Sequence, residues 1–219
     1  MCSGSNHIPD NVTDHTVCAT TSKRTCHSFF CRVGDSGRRI VLCAHIDAKD
    51  GTPGALDNAT GIAFLLLLAE LLENYSGNLG IEIVALNGED HYSAQGQKEY
   101  VKSNEERFSE IMLAINIDVA GYIQGNSAYS MYGCPDDIAR LVHKAFSLYA
   151  CVIEGELWYQ SDHMIFVQNR VPALAITSDQ FVELSTYITH TPKDSPELVD
   201  CEMIINLALA LRDLLVRIE

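Results

Sequence analysis

The sequence predicts a single α/β domain with three layers, α/β/α, around a mixed, mostly parallel central sheet. Apolar runs rich in β-branched residues alternate with helical patterns, as in a sheet whose two faces are both covered by helices. The length of 219 residues fits one domain. With 14 Gly and 6 Pro and no internal repeat, no linker divides the chain. We expect an irregular segment at 1–25 followed by one folded domain at 26–219.

The individual elements follow from the apolar pattern and from the residues that interrupt it. Extended runs at 25–33 and 38–44 flank Gly34-Asp35-Ser36-Gly37, which is a hairpin signal. Residues 58–75 are apolar on almost every side, which predicts a long, deeply buried helix. Further strands are predicted at 79–86, 111–117, 128–132, 151–154 and 173–177. Further helices are predicted at 93–102 with Ser93 as a cap, 136–149, 162–168 and 197–219.

Charge and hydropathy exclude several classes of function. The chain carries 15 Lys and Arg against 29 Asp and Glu, a net charge of −14. Such an acidic surface repels phosphate backbones and acidic membrane leaflets, so nucleic acid and membrane are not expected partners. The longest apolar run, 62–69, is shorter than the roughly 18–20 residues that a membrane span needs.

The cysteines and the N-terminal residues predict a location. The eight cysteines form no Cys-x-x-Cys pair, and residues 1–14 lack the features of a signal peptide. We therefore expect reduced thiols and a cytoplasmic protein. Prior removal of a signal peptide would instead mean export, and a Cys18–Cys26 or Cys26–Cys31 bridge is then open.

Acidic and histidine side chains follow the predicted strands at the end where open α/β sheets bind ligands. The side chains in question are His45, Asp47, Asp57, Glu89, Asp90, Asp118 and His190. So many acids in one place would repel one another unless cations neutralised them. Mixed imidazole and carboxylate ligation suits zinc, with manganese or cobalt as substitutes. A pair of such ions predicts metal-assisted hydrolysis.

Six motifs along the chain carry a resemblance to a known family. They are AHID at 44–47, PGALDNATG at 53–61, GED at 88–90, NIDVAG at 116–121, SDH at 161–163 and HTPKD at 190–194. In this order they resemble the signature of the co-catalytic zinc aminopeptidases of metallopeptidase family 28, whose superfamily includes glutamate carboxypeptidases and glutaminyl cyclases. The resemblance implies a zinc-exopeptidase fold, similar to the phosphorylase/hydrolase type, with 26–219 as the catalytic domain.

The resemblance also implies a set of metal ligands. By position, His45 and Asp118 would hold one zinc ion, Asp90 and His190 would hold the other, and Asp57 would bridge the two. Asp90 stands where the family often has Glu, so its shorter reach predicts either a weaker site or a loop that moves inward. Leu56, just before the bridging position, replaces a frequent Asp.

Other roles carried over by position concern catalysis and substrate. Glu89 would be the general base, and Asp47 would be an acid that orients His45 through its second ring nitrogen. Trp158 and Tyr159 fall near where some relatives place a tyrosine that supports the tetrahedral intermediate. Asp162 is expected to form a hydrogen bond near the site, and the three are candidate substrate-binding residues.

Alternative interpretations of these residues and of the function remain open at this point. Asp57 and Asn58 could simply cap the long helix, and Glu89 with Asp90 could be a solvated turn. The leading function is a two-zinc exopeptidase that removes N-terminal residues from peptides. The alternatives are a related amide-bond enzyme (carboxypeptidase, dipeptidase or single-zinc glutaminyl cyclase) and a catalytically silent binding homologue. A homo-oligomer is also left open.

Overall fold

A computed structural model describes residues 15–21, 24–33, 37–91 and 94–218, with 15–21 and 24–33 described by their backbone. In this part of the chain eight strands form one sheet in the order β1-β2-β4-β3-β5-β8-β6-β7. The strands are β1 (His15–Thr21), β2 (Arg24–Val33), β3 (Arg39–His45), β4 (Gly80–Leu86), β5 (Ile111–Ile117), β6 (Ser127–Tyr132), β7 (Val152–Glu154) and β8 (Ala173–Ser178). The central neighbours β4, β3, β5 and β8 run parallel.

Helices cover both faces of this sheet. They are α1 (Thr60–Leu71), α2 (Gln95–Asn104), α3 (Asp136–Phe146), α4 (His163–Gln168), α5 (Phe181–Tyr187) and α6 (Cys201–Leu215). α1, α3 and α6 share one apolar cluster on the first face, whereas the second face packs against α2 and α4. The mixed, mostly parallel three-layer α/β/α fold is therefore confirmed.

The central strand β3 supplies apolar side chains to both faces. All of its residues from Arg39 to His45 are buried. Because successive strand residues point to opposite faces, Ile40 and Leu42 join the cluster with α1 and α6, while Val41 and Cys43 join the other. A strand covered on both sides needs a continuous apolar run, and this is the run that the sequence shows.

The register of the central strands brings their carboxyl ends to one edge. His45, the last residue of β3, pairs with Leu86, the last residue of β4. β5 is in parallel register with β3 and β8, and it ends at Ile117 beside Ile176. The residues that follow β3, β4 and β5 therefore leave the sheet at the same edge.

Two predictions about the first strands were wrong. β2 and β3 do not form a hairpin, because β4 lies between them and pairs antiparallel with β2 and parallel with β3. Within the segment predicted to be irregular, His15–Thr21 forms an edge strand antiparallel to β2. The connection at 34–36 and the residues 1–14 lie outside the described part of the chain.

The predicted helices are present, but the two longest predictions, 58–75 and 197–219, were too long, and the helix α5 was missed. The helix predicted at 58–75 is the shorter α1, and it is not buried on every side, since Leu66 is 69% exposed. The helix α5, at Phe181–Tyr187, lies where the sequence analysis predicts no helix. Ser93, the predicted cap of α2, lies outside the described residues.

The described cysteines carry free thiols: Cys43, Cys134, Cys151 and Cys201. The side chains of Cys18, Cys26 and Cys31 lie outside the described part, so the two candidate bridges stay predictions. In the described ranges, no helix is both long and apolar enough to cross a membrane.

Candidate functional site

Three of the predicted ligands meet at the carboxyl end of β3 and β5. The Nε2 atom of His45 lies 3.0 Å from Oδ1 of Asp57 and 3.3 Å from Oδ1 of Asp118. All three residues are buried. One nitrogen and two carboxylate oxygens therefore point at a common position, although they come from three separate segments.

The other two predicted ligands meet on the opposite side of Asp57. The Nε2 atom of His190 lies 3.0 Å from Oδ2 of Asp57 and 2.7 Å from Oδ1 of Asp90. Asp90 is buried, whereas the side chain of His190 is 43% exposed. The two oxygens of Asp57 are thus divided between the clusters, one for each histidine.

The electrostatics of both clusters favour positive charge. Burial opposes protonation of His45, but the neighbouring Asp118 and Asp57 outweigh it and hold the pKa of His45 well above its usual range. Hydrogen bonding to Asp57 raises the pKa of His190 to about 9. The pKa of Asp57 falls to about 2 because the bonds to His190 and His45 overcome its burial.

The donor set fits a pair of divalent cations. In each of the two groups of three residues, one ligand atom per residue lies within 4.8 Å of the others. Imidazole nitrogen and carboxylate oxygen are the donors that zinc accepts. In addition, Oδ2 of Asp90 is buried without a hydrogen-bond partner among the described residues, and Oδ1 faces only His190 Nε2 at 2.7 Å. A buried carboxylate with so few partners is costly unless a cation compensates it.

Asp57 lies on an irregular turn, Ala55–Ala59, that precedes α1. The turn begins at Gly54, whose φ of 66° suits glycine, and a Cβ there would lie 2.5 Å from that of Ala48. Asn58 fixes the turn because its Nδ2 donates to the carbonyl of Ile117 at 2.9 Å. Its Oδ1 accepts from Gly61 N at 3.1 Å, so Asn58 caps the first turn of α1 and leaves Asp57 to face the histidines.

Asp47 contacts the predicted partner, His45, through its main chain, and its carboxylate binds a second partner that the sequence does not predict. The Nδ1 atom of His45 lies 3.0 Å from the main-chain oxygen of Asp47 and 3.8 Å from its carboxylate. The carboxylate instead accepts hydrogen bonds from the backbone N–H groups of Gly88, Glu89 and Asp90 at 2.7–3.2 Å. Asp47 therefore holds His45 through its backbone and the acidic loop through its side chain.

Glu89 is half-buried in the loop that follows β4. Burial and the nearby charge of Asp118 raise its pKa to about 8. The charges of Asp118 and His45 both act on the Glu89 carboxyl group, so Glu89 lies near the ligand group that these two residues form with Asp57. A carboxyl group with a raised pKa beside a candidate metal centre is typical of a general base or acid.

The candidate substrate-binding residues lie in the segment before α4. Asp162 is fully buried; its Oδ1 accepts from Gln97 Nε2 at 2.6 Å, and its Oδ2 has no hydrogen-bond partner among the described residues. The rings of Trp158 and Phe181 have centroids 4.9 Å apart and are tilted by 40°, and Phe181 begins α5, the helix that the sequence did not predict. Tyr159 is 65% exposed. Asp162 is therefore a core residue, whereas Tyr159 faces solvent.

The sequence reasoning assigned no role to Asp194, although it lies in the HTPKD motif. Asp194 is fully buried and accepts hydrogen bonds from the backbone of Leu56 and Asp57. The available signal was that Asp194 follows the predicted ligand His190 in the same motif. Its role was not predictable from that signal, because its backbone partners are 137 and 138 positions away in the sequence.

Comparison with known proteins decides the family. Residues 31–215 match the model described as Peptidase family M28. This chain belongs to peptidase family M28. Leucine aminopeptidase 2 of Trichophyton rubrum is 28% identical over 152 residues, which cover 64% of this chain and 30% of the fungal protein. The match therefore spans less than a third of that relative's length.

Solved structures share the fold of this M28 chain. A zinc aminopeptidase from Bacillus subtilis superposes with a TM-score of 0.75 at 20% identity, covering 89% of this chain and 50% of the other. A glutaminyl cyclase from an Acidobacteriales bacterium superposes with a TM-score of 0.75 at 18% identity, covering 94% and 78%. At these identities the likeness establishes the architecture, and it confirms the fold that the motifs imply.

Proposed function

We propose that this M28 chain is a metallo-aminopeptidase that uses two divalent cations, zinc in the first place, to remove N-terminal residues from peptides. The observation that carries the proposal is the pair of ligand groups that share Asp57. A single bridging carboxylate between two nitrogen-and-oxygen donor sets is the arrangement of two-metal hydrolases. The similarity to leucine aminopeptidase 2 of Trichophyton rubrum supports the substrate class.

Each cation would have its own histidine and its own aspartate. His45 and Asp118 would hold one ion, His190 and Asp90 would hold the other, and Asp57 would serve both. When bound, such ions polarise a scissile carbonyl and lower the pKa of water toward neutrality. Asp90 fits its role despite its short side chain, because Asp47 holds the loop of Asp90 by three backbone hydrogen bonds.

Glu89 is the general base in this proposal. Its carboxylate takes a proton from the attacking water and then donates that proton to the leaving amine. The half-buried position supports this role, because a carboxyl group with a raised pKa accepts and releases protons near neutral pH. The backbone bond from Glu89 N to Asp47 Oδ1, at 3.2 Å, holds the segment that presents the base.

The remaining candidates contribute to substrate binding. Trp158 and Tyr159 offer an aromatic surface to the side chain of an N-terminal residue. Asp162 carries a buried carboxylate oxygen without a hydrogen-bond partner in the described part of the chain. A free amino group of the substrate would lie among the carboxylates of the site, which are complementary to its positive charge.

The proposal is tested by metal analysis combined with an activity screen. The protein is dialysed with zinc and then freed of excess ion, and the zinc content per chain is measured. The same sample is assayed on a series of aminoacyl chromogenic amides. We expect close to two ions per chain and hydrolysis of at least one amide. A peptide that begins with the same residue should be cleaved when its N-terminus is free and not when its N-terminus is blocked.

Two results would contradict the proposal. One ion per chain together with cyclisation of an N-terminal glutaminyl peptide would favour the cyclase alternative. Two ions with cleavage of the N-blocked peptide and not of the free one would mean that the site does not read the amino group.

A further inference from the structure

Asp194 holds the backbone of the segment that carries the proposed bridging ligand. Its Oδ1 accepts from Leu56 N at 2.7 Å and its Oδ2 accepts from Asp57 N at 3.1 Å. The residue is fully buried, and a buried carboxylate is tolerated only where hydrogen bonds compensate its desolvation. Because each oxygen accepts a hydrogen bond from one of two consecutive backbone amides, the direction of the backbone at Asp57 is fixed.

Asp194 ends a short turn, 190–194, that also contacts the side chain of Asp57. The turn 190–194 is closed by a hydrogen bond from Asp194 N to Thr191 O at 3.2 Å. At its start, His190 Nε2 lies 3.0 Å from the Asp57 carboxylate. His190 has a φ of 60°, an uncommon conformation for a residue with a side chain, which the rest of the turn must maintain. The turn therefore contacts both the main chain and the carboxylate of Asp57.

The local backbone of Asp57 is not held by helical geometry. Its φ and ψ are −118° and 83°, which interrupt the helical path between Gly54 and α1. The orientation of the carboxylate therefore depends on tertiary hydrogen bonds. Two of these are donated to Asp194 by the backbone of Asp57 and of the residue before it. A shift of this segment would move both carboxylate oxygens together.

We propose that Asp194 is a positioning residue for both cation sites at once, because it sets where the shared carboxylate of Asp57 lies. This inference rests on the proposed function, in which Asp57 bridges the two ions. It separates Asp194 from Asp47, whose carboxylate holds only the loop of Asp90. Loss of Asp194 should weaken both ions, whereas a change confined to one cluster should weaken one.

A matched control exists at the start of α6. The carboxylate of Asp200 also accepts from two backbone amides, Glu202 N at 2.9 Å and Met203 N at 3.2 Å. No proposed ligand lies on α6. Replacement of Asp200 by alanine therefore removes the same kind of interaction and lowers stability, without moving Asp57.

The experiment compares the wild-type chain with Asp194→Ala, Asp194→Asn and Asp200→Ala. Each protein is stripped of metal, checked for folding by circular dichroism, and titrated with zinc against a chromogenic chelator. We expect Asp194→Ala to weaken both zinc affinities by about 10- to 100-fold, the usual effect of losing a group that orients a metal ligand. Asp194→Asn keeps one acceptor and should lie between Asp194→Ala and the wild type. Asp200→Ala should leave both affinities unchanged while it lowers the unfolding midpoint.

The outcomes separate this inference from the function on which it rests. If Asp194→Ala or Asp194→Asn bound two zinc ions as tightly as the wild type, the positioning role would be overturned and the proposed function would stand. The same holds if Asp194→Ala lost affinity for only one of the two ions. An equal loss of affinity in Asp200→Ala would also overturn it, since the effect would then be general destabilisation. If Asp194→Ala fails to fold, Asp194→Asn decides the question by zinc affinity and by faster amide exchange at Leu56 and Asp57. A wild-type chain without zinc affinity would overturn both proposals.

Discussion

Asp57 is a buried carboxylate that contacts two histidines. Each of its oxygens lies 3.0 Å from a different histidine nitrogen. In low-dielectric surroundings its charge interacts strongly with whatever lies on either side. Glu89, by contrast, is not one of the residues that form the two ligand groups. The two acids can therefore be separated experimentally as ligand and base.

Replacement of Glu89 by glutamine should leave zinc binding intact and lower turnover on aminoacyl amides by about 10²- to 10⁴-fold, the usual contribution of a general base. Glutamine keeps the size of the side chain but does not accept a proton near neutral pH. Zinc content and kcat are the two measurements. Glu73→Gln, an exposed position beyond α1, is the control and should behave as the wild type. Full activity in Glu89→Gln would remove the base assignment.

Replacement of Asp47 by alanine should weaken one zinc site more than the other. The Asp47 carboxylate accepts three amides of the loop that carries Asp90, so its loss frees that ligand. The main-chain oxygen that His45 contacts stays in place. We expect a loss of about 10- to 100-fold in affinity at one site, measured by zinc titration. An equal loss at both sites would contradict a role of the Asp47 carboxylate that is confined to the loop of Asp90.

At the residue scale, the sequence predicted which side chains would meet but not how they are held. His45, Asp57 and Asp118 could be placed together because strand ends at one edge of a sheet are neighbours. The partners of Asp47 and Asp194 are backbone N–H groups of remote loops. Any residue type supplies such a group, so no sequence pattern marks it.

Strand β3 has a proposed metal ligand at one end and a buried arginine at the other. His45 ends the strand at the candidate metal centre, and Arg39 begins it about 20 Å away, at roughly 3.3 Å per residue. Arg39 is fully buried; its Nε lies 2.8 Å from Glu82 Oε2 and its Nη2 donates to Asn104 at 2.8 Å. Its Nη1 pairs with Glu110. This network joins β3, β4 and the end of α2.

Replacement of Arg39 by methionine should lower the free energy of unfolding by about 3–5 kcal/mol, because it leaves Glu82 largely buried without its cation. Urea unfolding measures the change. Arg107→Met is the matched control, since Arg107 pairs with Glu110 at an exposed position and should contribute less than about 1 kcal/mol. Similar losses in the two variants would contradict the importance of burial. Zinc stoichiometry should be unchanged in both.

At the element scale, the strands with continuous apolar runs were predictable and their partners were not. β5 was predicted with the bounds Ile111–Ile117 that it has in the structure. The Gly-rich stretch after β2 indicated a hairpin, but pairing depends on where β4 returns from α1, which local residues do not encode. α1 was predicted as buried all round because its exposed Leu66 is apolar, and hydropathy does not distinguish an exposed leucine from a buried one.

For the whole molecule, bound cations should stabilise the folded state by joining distant segments of the chain. His45, Asp57, Asp90, Asp118 and His190 come from segments spread over most of the described chain. A cation that binds only the folded state adds about 2.7 kcal/mol at a hundred times its Kd. We therefore expect removal of two zinc ions by a chelator to lower the Tm by about 10–20 °C. Scanning calorimetry measures this shift.

The matched variant for this thermal experiment is Asp57→Asn. Because it removes the ligand common to both clusters, its Tm should respond little to the chelator. Glu89→Gln should keep the full response, since Glu89 is not a proposed ligand. A wild-type Tm that is indifferent to chelation would mean that the clusters hold no tightly bound ion.

At this largest scale, single-domain architecture followed from length and from the alternation of strand and helix patterns, and the motif order indicated the family. The contact between Trp158 and Phe181 was not predicted, because it depends on α5, whose residues have no clear helical apolar pattern. A homo-oligomer stays a prediction.

The most direct test of the central claim is anomalous X-ray diffraction at the zinc edge from crystals grown with zinc. We expect two peaks about 3.5–4 Å apart, one on each side of the Asp57 carboxylate, with His45 beside one and His190 beside the other. A single peak, or peaks remote from Asp57, would contradict the two-cation account.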